Sequence, residues 1–236
     1  ESSIIRKAAV WGVGVVSRTV SEKSSEEEMK ELLQQLNQED SIHGVLLFQP
    51  FPKDMRKDVL EKILSGKKDL DGFTTDSMNR IYSGDGVGYA PCTAEAVMEL
   101  LKYYKIRISG KNAVVLGRSL VIGKPVSMML LQENATLTIV HSKTENLGEE
   151  LRKADIIVSA VGIPKVVEAH CVRSGQTVID VGINMTDRDQ IVGDVDFPEV
   201  EKIVDAITPV PGGVGVITTA VLMKHLVNRA WEQTQS

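Results

Sequence analysis

The sequence predicts an α/β protein of two domains with a cleft between them, and three features carry that expectation. Beyond Lys111, near-continuous apolar runs at 112–116, 135–140, 155–160 and 176–182 alternate with helical patterns. Runs of that kind belong to a parallel sheet covered on both faces. Ahead of Tyr89, helical stripes and one buried run read as β/α units with their loops bunched after the strands. Between the two halves, Tyr89-Ala90-Pro91-Cys92-Thr93 announces a bridging helix. We set the domains at 1–92 and 93–213, the second a Rossmann-like parallel sheet, with the helix in 214–231 packing back on the first.

Taken in order, the chain opens on Glu1-Ser2-Ser3-Ile4-Ile5-Arg6-Lys7-Ala8-Ala9, a helical pattern with no strand ahead of it. Ser25-x-x-Glu28 is a capping box before Met29, Leu32, Leu33 and Leu36, an i, i+3, i+4, i+7 stripe. Gly44-Val45-Leu46-Leu47-Phe48-Gln49 reads as a buried strand that ends at Pro50-Phe51-Pro52. A helix over about 55–64 leads to the charged loop Lys68-Asp69-Leu70-Asp71-Gly72-Phe73. In the bridging helix Thr93 is the expected N-cap, and Val97, Leu100, Leu101 and Tyr104 share a face. The stretch Thr208-Pro209-Val210-Pro211-Gly212-Gly213-Val214-Gly215 is too rich in proline and glycine for regular structure. A last helix follows over about 218–231.

Composition sets outer limits. The 236 residues, 42% hydrophobic and 25% charged, suit a globular protein with a real core. A net charge of −5 gives no electrostatic reason to expect nucleic acid or an acidic membrane as partner. No apolar run approaches the ~18 residues of a membrane span, and the start has no signal-peptide pattern. Cys92 and Cys171 make neither a metal spacing nor a disulfide framework, which fits a reducing compartment and a cytoplasmic protein. The four histidines show no ligand spacing, so no metal is expected.

The turn at Gly117-x-Ser119-x-x-x-Gly123 lies between an apolar run and a helical pattern. Strand, glycine turn and helix together aim backbone N–H groups and a helix dipole at a phosphate. The spacing departs from G-x-G-x-x-G. At the end of the next run stand His141-Ser142-Lys143-Thr144, where a dinucleotide fold would place an acid for the ribose of NAD. A hydroxyl and a lysine in place of that acid, with Arg118 in the glycine turn, lean toward NADP.

Elsewhere the residues leave alternatives open. Asp69 and Asp71 are either a solvated Asx-type turn or a carboxylate pair facing an amidine-like ligand edge such as that of a pterin. Lys7, Lys67, Lys68, Lys124 and Lys143 lie near candidate loops, where lysines are as a rule solvated surface charges. Gly212-Gly213 offers bare backbone to a flat ligand, or the loop is a rigid connector. Asp180 ends a buried strand, in a position to cap the next turn.

Set in order, these motifs resemble the methylenetetrahydrofolate dehydrogenase/cyclohydrolase family. The matching stretches are Lys68-Asp69-Leu70-Asp71-Gly72, Pro91-Cys92-Thr93, Val115-Leu116-Gly117-Arg118-Ser119 with Gly123-Lys124-Pro125, and His141-Ser142. They continue with Asp180-Val181-Gly182-Ile183-Asn184, Gly193-Asp194-Val195-Asp196 and the loop at 208–215, and cover nearly the whole chain. Pro209-Val210-Pro211-Gly212-Gly213 is highly specific.

The resemblance implies that Asp71 binds the pterin ring of a tetrahydrofolate derivative, and that Pro209, Val210, Pro211, Gly212 and Gly213 line the folate and nicotinamide cleft. It implies that Gly117, Arg118, Ser119, Ser142, Ile183 and Thr218 attend the cofactor, NADP, in a homodimeric enzyme. Hydride would pass from the methylene carbon of the folate to NADP⁺, and water would then open the methenyl ring to formyltetrahydrofolate.

Three departures bear on catalysis. The family's lysine, usually in Tyr-x-x-x-Lys, has no counterpart at the expected spacing: counting back from Gly14 reaches Arg6 and Ser2. Lys7 is the lysine within reach, and the segment at 3–7 is expected to be interrupted or displaced. The family's glutamine in Val-Gln-Leu-Pro becomes Gln49, displaced by one position in Leu47-Phe48-Gln49-Pro50. The family also has helix and strand ahead of the part matched here. A dehydrogenase that has lost the cyclohydrolase step, and a catalytically silent folate- or nucleotide-binding subunit, stand as alternatives.

Overall fold

The computed structural model describes residues 2–52, 54–186 and 189–235. The chain forms two compact units, Glu1–Ala90 with Thr219–Ser236, and Pro91–Thr218. No helix among the described residues is long and apolar enough to cross a membrane.

The first unit carries α1 (Ser2–Val10), α2 (Glu26–Gln38), α3 (Lys57–Ile63) and α4 (Thr75–Ser83). α2 begins at the predicted capping box, with the Glu28 N–H donating to Ser25 Oγ (3.1 Å) and the Ser25 N–H to Glu28 Oε2 (2.8 Å). Its Met29 and Leu33 pack with Val45, Met55, Leu60, Leu64 and Phe73.

Two expectations fail in this unit. The segment at 3–7 is neither interrupted nor displaced: α1 runs unbroken from Ser2 to Val10 with Ala8 buried. The apolar run at 44–49 is not a strand. Its one ladder contact is a parallel bridge from Val45 to Asp69, in which the Val45 N–H donates to Lys68 O (2.6 Å) and the Leu70 N–H to Val45 O (3.3 Å). β-propensity measures fit to a pleated, half-buried surface, and here no second strand supplies one. Leu46, Leu47 and Phe48 instead line an apolar cavity of about 670 Å³, together with side chains of α1 and α2.

The second unit opens with α5 (Cys92–Tyr103). Its N-cap is Pro91, whose carbonyl accepts the Glu95 N–H (3.0 Å), so Thr93 sits inside the first turn and does not cap it. Then come β1 (Asn112–Leu116), α6 (Gly123–Gln132), β2 (Thr136–Val140), α7 (Leu147–Lys153), β3 (Ile156–Ser159) and β4 (Thr177–Asp180). A two-residue hairpin, β5 (Asn184–Met185) with β6 (Ile191–Val192), precedes α8 (Phe197–Val200) and β7 (Ala206–Ile207).

The sheet is parallel throughout, in the order β2-β1-β3-β4-β7. Val114, Leu116, Ile157 and Val178 pack with Val140, Leu151, Val172 and Val200 into its core. This is the doubly wound α/β architecture the apolar runs predict. The strand order turns back between β1 and β3, and in open sheets of this kind ligands bind outside the carboxyl ends at such a switch point. The last helix, α9, runs over Val214–Thr234.

Candidate active site

At the carboxyl end of β1 the chain makes the turn its glycines predict. Gly117 adopts φ +124°, and a Cβ there would lie 2.5 Å from Ala160 O. A Cβ on Gly123 would lie 2.4 Å from Gly117 O, so the turn closes only with bare backbone at both positions. Ser119 organises it: Oγ accepts the N–H groups of Ile122 (3.1 Å) and Gly123 (3.3 Å), and its carbonyl accepts the Lys124 N–H (2.9 Å). The N-terminus of α6 is thereby set at the end of β1, with Arg118 exposed beside it.

The neighbouring strand β2 ends in a second tight turn. There the His141 N–H donates to Thr144 Oγ1 (2.9 Å) and the Lys143 N–H to His141 Nδ1 (3.1 Å), leaving Ser142 exposed. A glycine cradle at a helix N-terminus and a β2 end bearing hydroxyl and ammonium groups instead of a carboxylate fit a dinucleotide with an extra phosphate.

The remaining predicted cofactor positions are more scattered. Ile183 is 70% exposed just past β4. Thr218 lies in the first turns of α9, its Oγ1 donating to Val214 O (3.2 Å). The loop of Pro209, Val210, Pro211, Gly212 and Gly213 follows β7, with a cis Val210–Pro211 bond and Gly212 at φ +112°. A Cβ on Gly213 would meet Pro209 O at 2.5 Å, which makes the loop a folded unit.

Behind these loops lie two buried carboxylates: Asp180, which caps the turn after its strand as expected, and Asp194, whose role sequence reasoning missed. Asp180 accepts the N–H groups of Gly182 (2.9 Å), Asp194 (2.9 Å) and Val195 (2.9 Å). Burial pushes its carboxyl up to about 6, against the pull of those three donors. Asp194 is fully buried and accepts the N–H groups of Val161 (2.8 Å), Gly162 (3.3 Å) and Ile163 (3.0 Å), the Ser159 hydroxyl (3.1 Å) and the Asn184 amide (3.1 Å). The signal available in the sequence was the pair Gly182 and Gly193. A Cβ on either would fall within about 2.1 Å of an aspartate oxygen.

In the first unit the loop with the paired aspartates divides their roles. Asp69 is 1% exposed and accepts the Asp71 N–H (3.1 Å), the Thr74 N–H (2.7 Å) and hydroxyl (2.8 Å), and the Ser77 hydroxyl (2.6 Å). It forms the Asx-type bond, but inside the protein and not in solvent. Asp71 is half-buried. His225 of α9, 1% exposed and stacked on Tyr89, lies 2.9 Å through Nδ1 from Leu70 O, between the two aspartates.

Lys68 departs from the solvated-charge expectation. It is buried, and Nζ donates to Leu36 O and Glu39 O (2.6 Å each) at the end of α2, while desolvation lowers its pKa. Lys7 Nζ donates to Thr219 Oγ1 at 3.2 Å. Gln49 is exposed ahead of a cis bond to Pro50.

Comparison with known proteins agrees with this architecture. Residues 91–234 match the model of the tetrahydrofolate dehydrogenase/cyclohydrolase NAD(P)-binding domain, and residues 2–71 match that of the family's catalytic domain. The bifunctional protein FolD of Clostridium botulinum strain Langeland is 44% identical over 230 residues, 98% of this chain and 82% of its own. FolD of Carboxydothermus hydrogenoformans is 50% identical over 205 residues, 86% of this chain and 71% of its own.

Among solved structures, the bifunctional FolD dehydrogenase/cyclohydrolase of Campylobacter jejuni aligns with TM-score 0.96 at 38% identity, covering 98% of this chain and 82% of that one. The Trypanosoma brucei FolD complexed with NADP and inhibitor aligns with TM-score 0.92 at 33% identity, covering 100% and 82%. The chain belongs to the tetrahydrofolate dehydrogenase/cyclohydrolase family.

Proposed function

We propose that this protein oxidises methylenetetrahydrofolate to methenyltetrahydrofolate with NADP⁺ and hydrolyses the product to formyltetrahydrofolate, as a homodimer in the cytoplasm. The observation that carries the reading is the match of both family domains along one chain, with the glycine turn Gly117–Gly123 at the switch point of the second.

The cofactor, when bound, supplies the hydride acceptor. Ser119, bonded to the first residues of α6, sets that helix's N-terminus toward its phosphates, and Arg118 with Ser142 takes the extra 2′-phosphate. Ile183, Thr218 and the loop from Pro209 to Gly213 attend the nicotinamide and the folate.

In the first unit Asp71 accepts hydrogen bonds from the pterin edge, held by the backbone bond to Asp69. Gln49 orients the one-carbon unit. Lys7 takes a proton from the water that attacks the methenyl carbon.

Two observations favour a second reading, a dehydrogenase without the cyclohydrolase step: Lys7 Nζ is already engaged by Thr219 Oγ1, and α1 contains no tyrosine. A coupled assay separates the two. NADPH formation from methylenetetrahydrofolate reads the oxidation, and decay of methenyl absorbance reads the hydrolysis. Oxidation without hydrolysis supports the second reading. Absence of both would leave a silent folate- or nucleotide-binding subunit.

A further inference from the structure

We infer that Asp194 is a positioning residue for the dinucleotide, acting by filling an anion-binding nest in the loop after β3. The inference rests on the cofactor reading above and extends it to a fully buried residue.

Three successive N–H groups, those of Val161, Gly162 and Ile163, converge on the Asp194 carboxylate at 2.8, 3.3 and 3.0 Å. Gly162 takes φ +67°, the left-handed step that lets adjacent N–H groups point to one side. Such a concavity commonly binds a phosphate. Here the protein's own carboxylate occupies it, inside the core.

The loop so held is one lip of the switch point. It continues β3, next to β1 in the sheet, and Gly117 approaches Ala160 O so closely that a Cβ there would lie 2.5 Å away. The two lips therefore divide the chemistry of a dinucleotide. The β1 turn sets the positive end of the α6 dipole for phosphate, the first N–H groups of that helix being held by Ser119. The β3 loop has three N–H groups committed inward and meets the ligand without them, with Ile163 half exposed. Such a lip suits the ribose and ring portions of the dinucleotide, not its phosphates.

Asp194 is itself fixed from behind. Its N–H donates to Asp180 Oδ1 (2.9 Å), and the second carboxylate oxygen of Asp180 holds the Val195 N–H (2.9 Å). Ser159 and Asn184 add side-chain donors at 3.1 Å each, so the carboxylate has one orientation. Asp194→Asn would turn an amide NH₂ toward backbone N–H groups, and the loop would have to move to relieve the clash.

The test is a direct titration of purified full-chain protein with NADP⁺, alongside steady-state kinetics. Asp194→Asn is expected to raise the Kd and KM for NADP⁺ roughly tenfold. Its folate KM, and kcat at saturating NADP⁺, should stay within about twofold of the parent. Ser159→Ala removes one donor to the carboxylate and leaves the three backbone bonds, so it should raise the NADP⁺ Kd by a smaller factor and serves if Asp194→Asn does not fold. Unchanged NADP⁺ Kd in every folded variant overturns the inference. So does a loss spread equally over both substrates with a fall in Tm, which would mark Asp194 as a purely structural support. Failure of the unmutated protein to bind NADP⁺ overturns the cofactor reading itself, and this inference with it.

Discussion

Lys7 and Thr219 meet across 212 positions of sequence, the lysine Nζ donating to the threonine Oγ1 at 3.2 Å. The contact ties α1 to α9 within the first unit and holds Lys7 Nζ in one place. If Lys7 is the base of the hydrolytic step, Lys7→Ala should slow methenyl decay by about 10²-fold or more while sparing NADPH formation. Thr219→Val should produce a weaker effect of the same kind. Equal rates of methenyl decay in parent and Lys7→Ala would remove Lys7 from the chemistry.

The two aspartates of the loop at 68–73 should separate cleanly. Asp71→Asn places a donor where the ligand edge also donates, a mismatch of about 1–3 kcal/mol, so both activities should fall by a similar factor with folding stability nearly unchanged. Asp69→Asn should lower unfolding stability by about 1–3 kcal/mol, because its four donors lose their acceptor inside the protein. Denaturant unfolding and the two assays distinguish them. An Asp71→Asn protein with normal folate KM sinks the pterin assignment.

Arg118 stands exposed at the glycine turn, and no carboxylate occupies the end of β2. Arg118→Ala should raise the KM for NADP⁺ about tenfold and that for NAD⁺ far less, since a guanidinium–phosphate pair is charge-assisted. Equal losses for the two cofactors would sink the 2′-phosphate role.

Asp180 predicts a pH dependence. Its carboxyl titrates near 6 in the folded protein against an ordinary 3.8, because burial disfavours its charge. Between roughly pH 4 and 6 the native state therefore holds a proton that the unfolded chain has released, and stability falls as pH rises through that window before levelling above it. Urea unfolding of the parent and of Asp180→Asn, compared across that range, should show a difference with this slope. A difference independent of pH would mean the group titrates normally.

Much of this was legible in the sequence where the signal is local. The capping box at Ser25 and Glu28, the four long strands of the parallel sheet and the glycine turn after β1 each follow from residue types within a few positions of one another. The run at 44–49 misled because an apolar run suits extended backbone but does not specify a neighbour to pair with. Asp69 and Asp71 are the same residue two positions apart, and only burial tells the scaffold from the candidate ligand group. Asp194 gathers donors from residues 10 to 35 positions away, mostly backbone N–H groups that every residue carries, so Gly182, pressed against it, is the mark it leaves in the sequence. The strands β5, β6 and β7 have two residues each, too few for a period.

The first unit is assembled from two segments, Glu1–Ala90 and Thr219–Ser236, on either side of the second in sequence. On the ribosome that order has a consequence. The second unit is contiguous and has all its residues once Thr218 has left the exit tunnel, whereas the first, although synthesised earlier, must wait for α9. Until then Leu70 lacks the His225 imidazole against its carbonyl, and Tyr89 lacks the ring it stacks on. Domains generally fold as units from the N-terminal side during synthesis; here the half that emerges first is the half completed last.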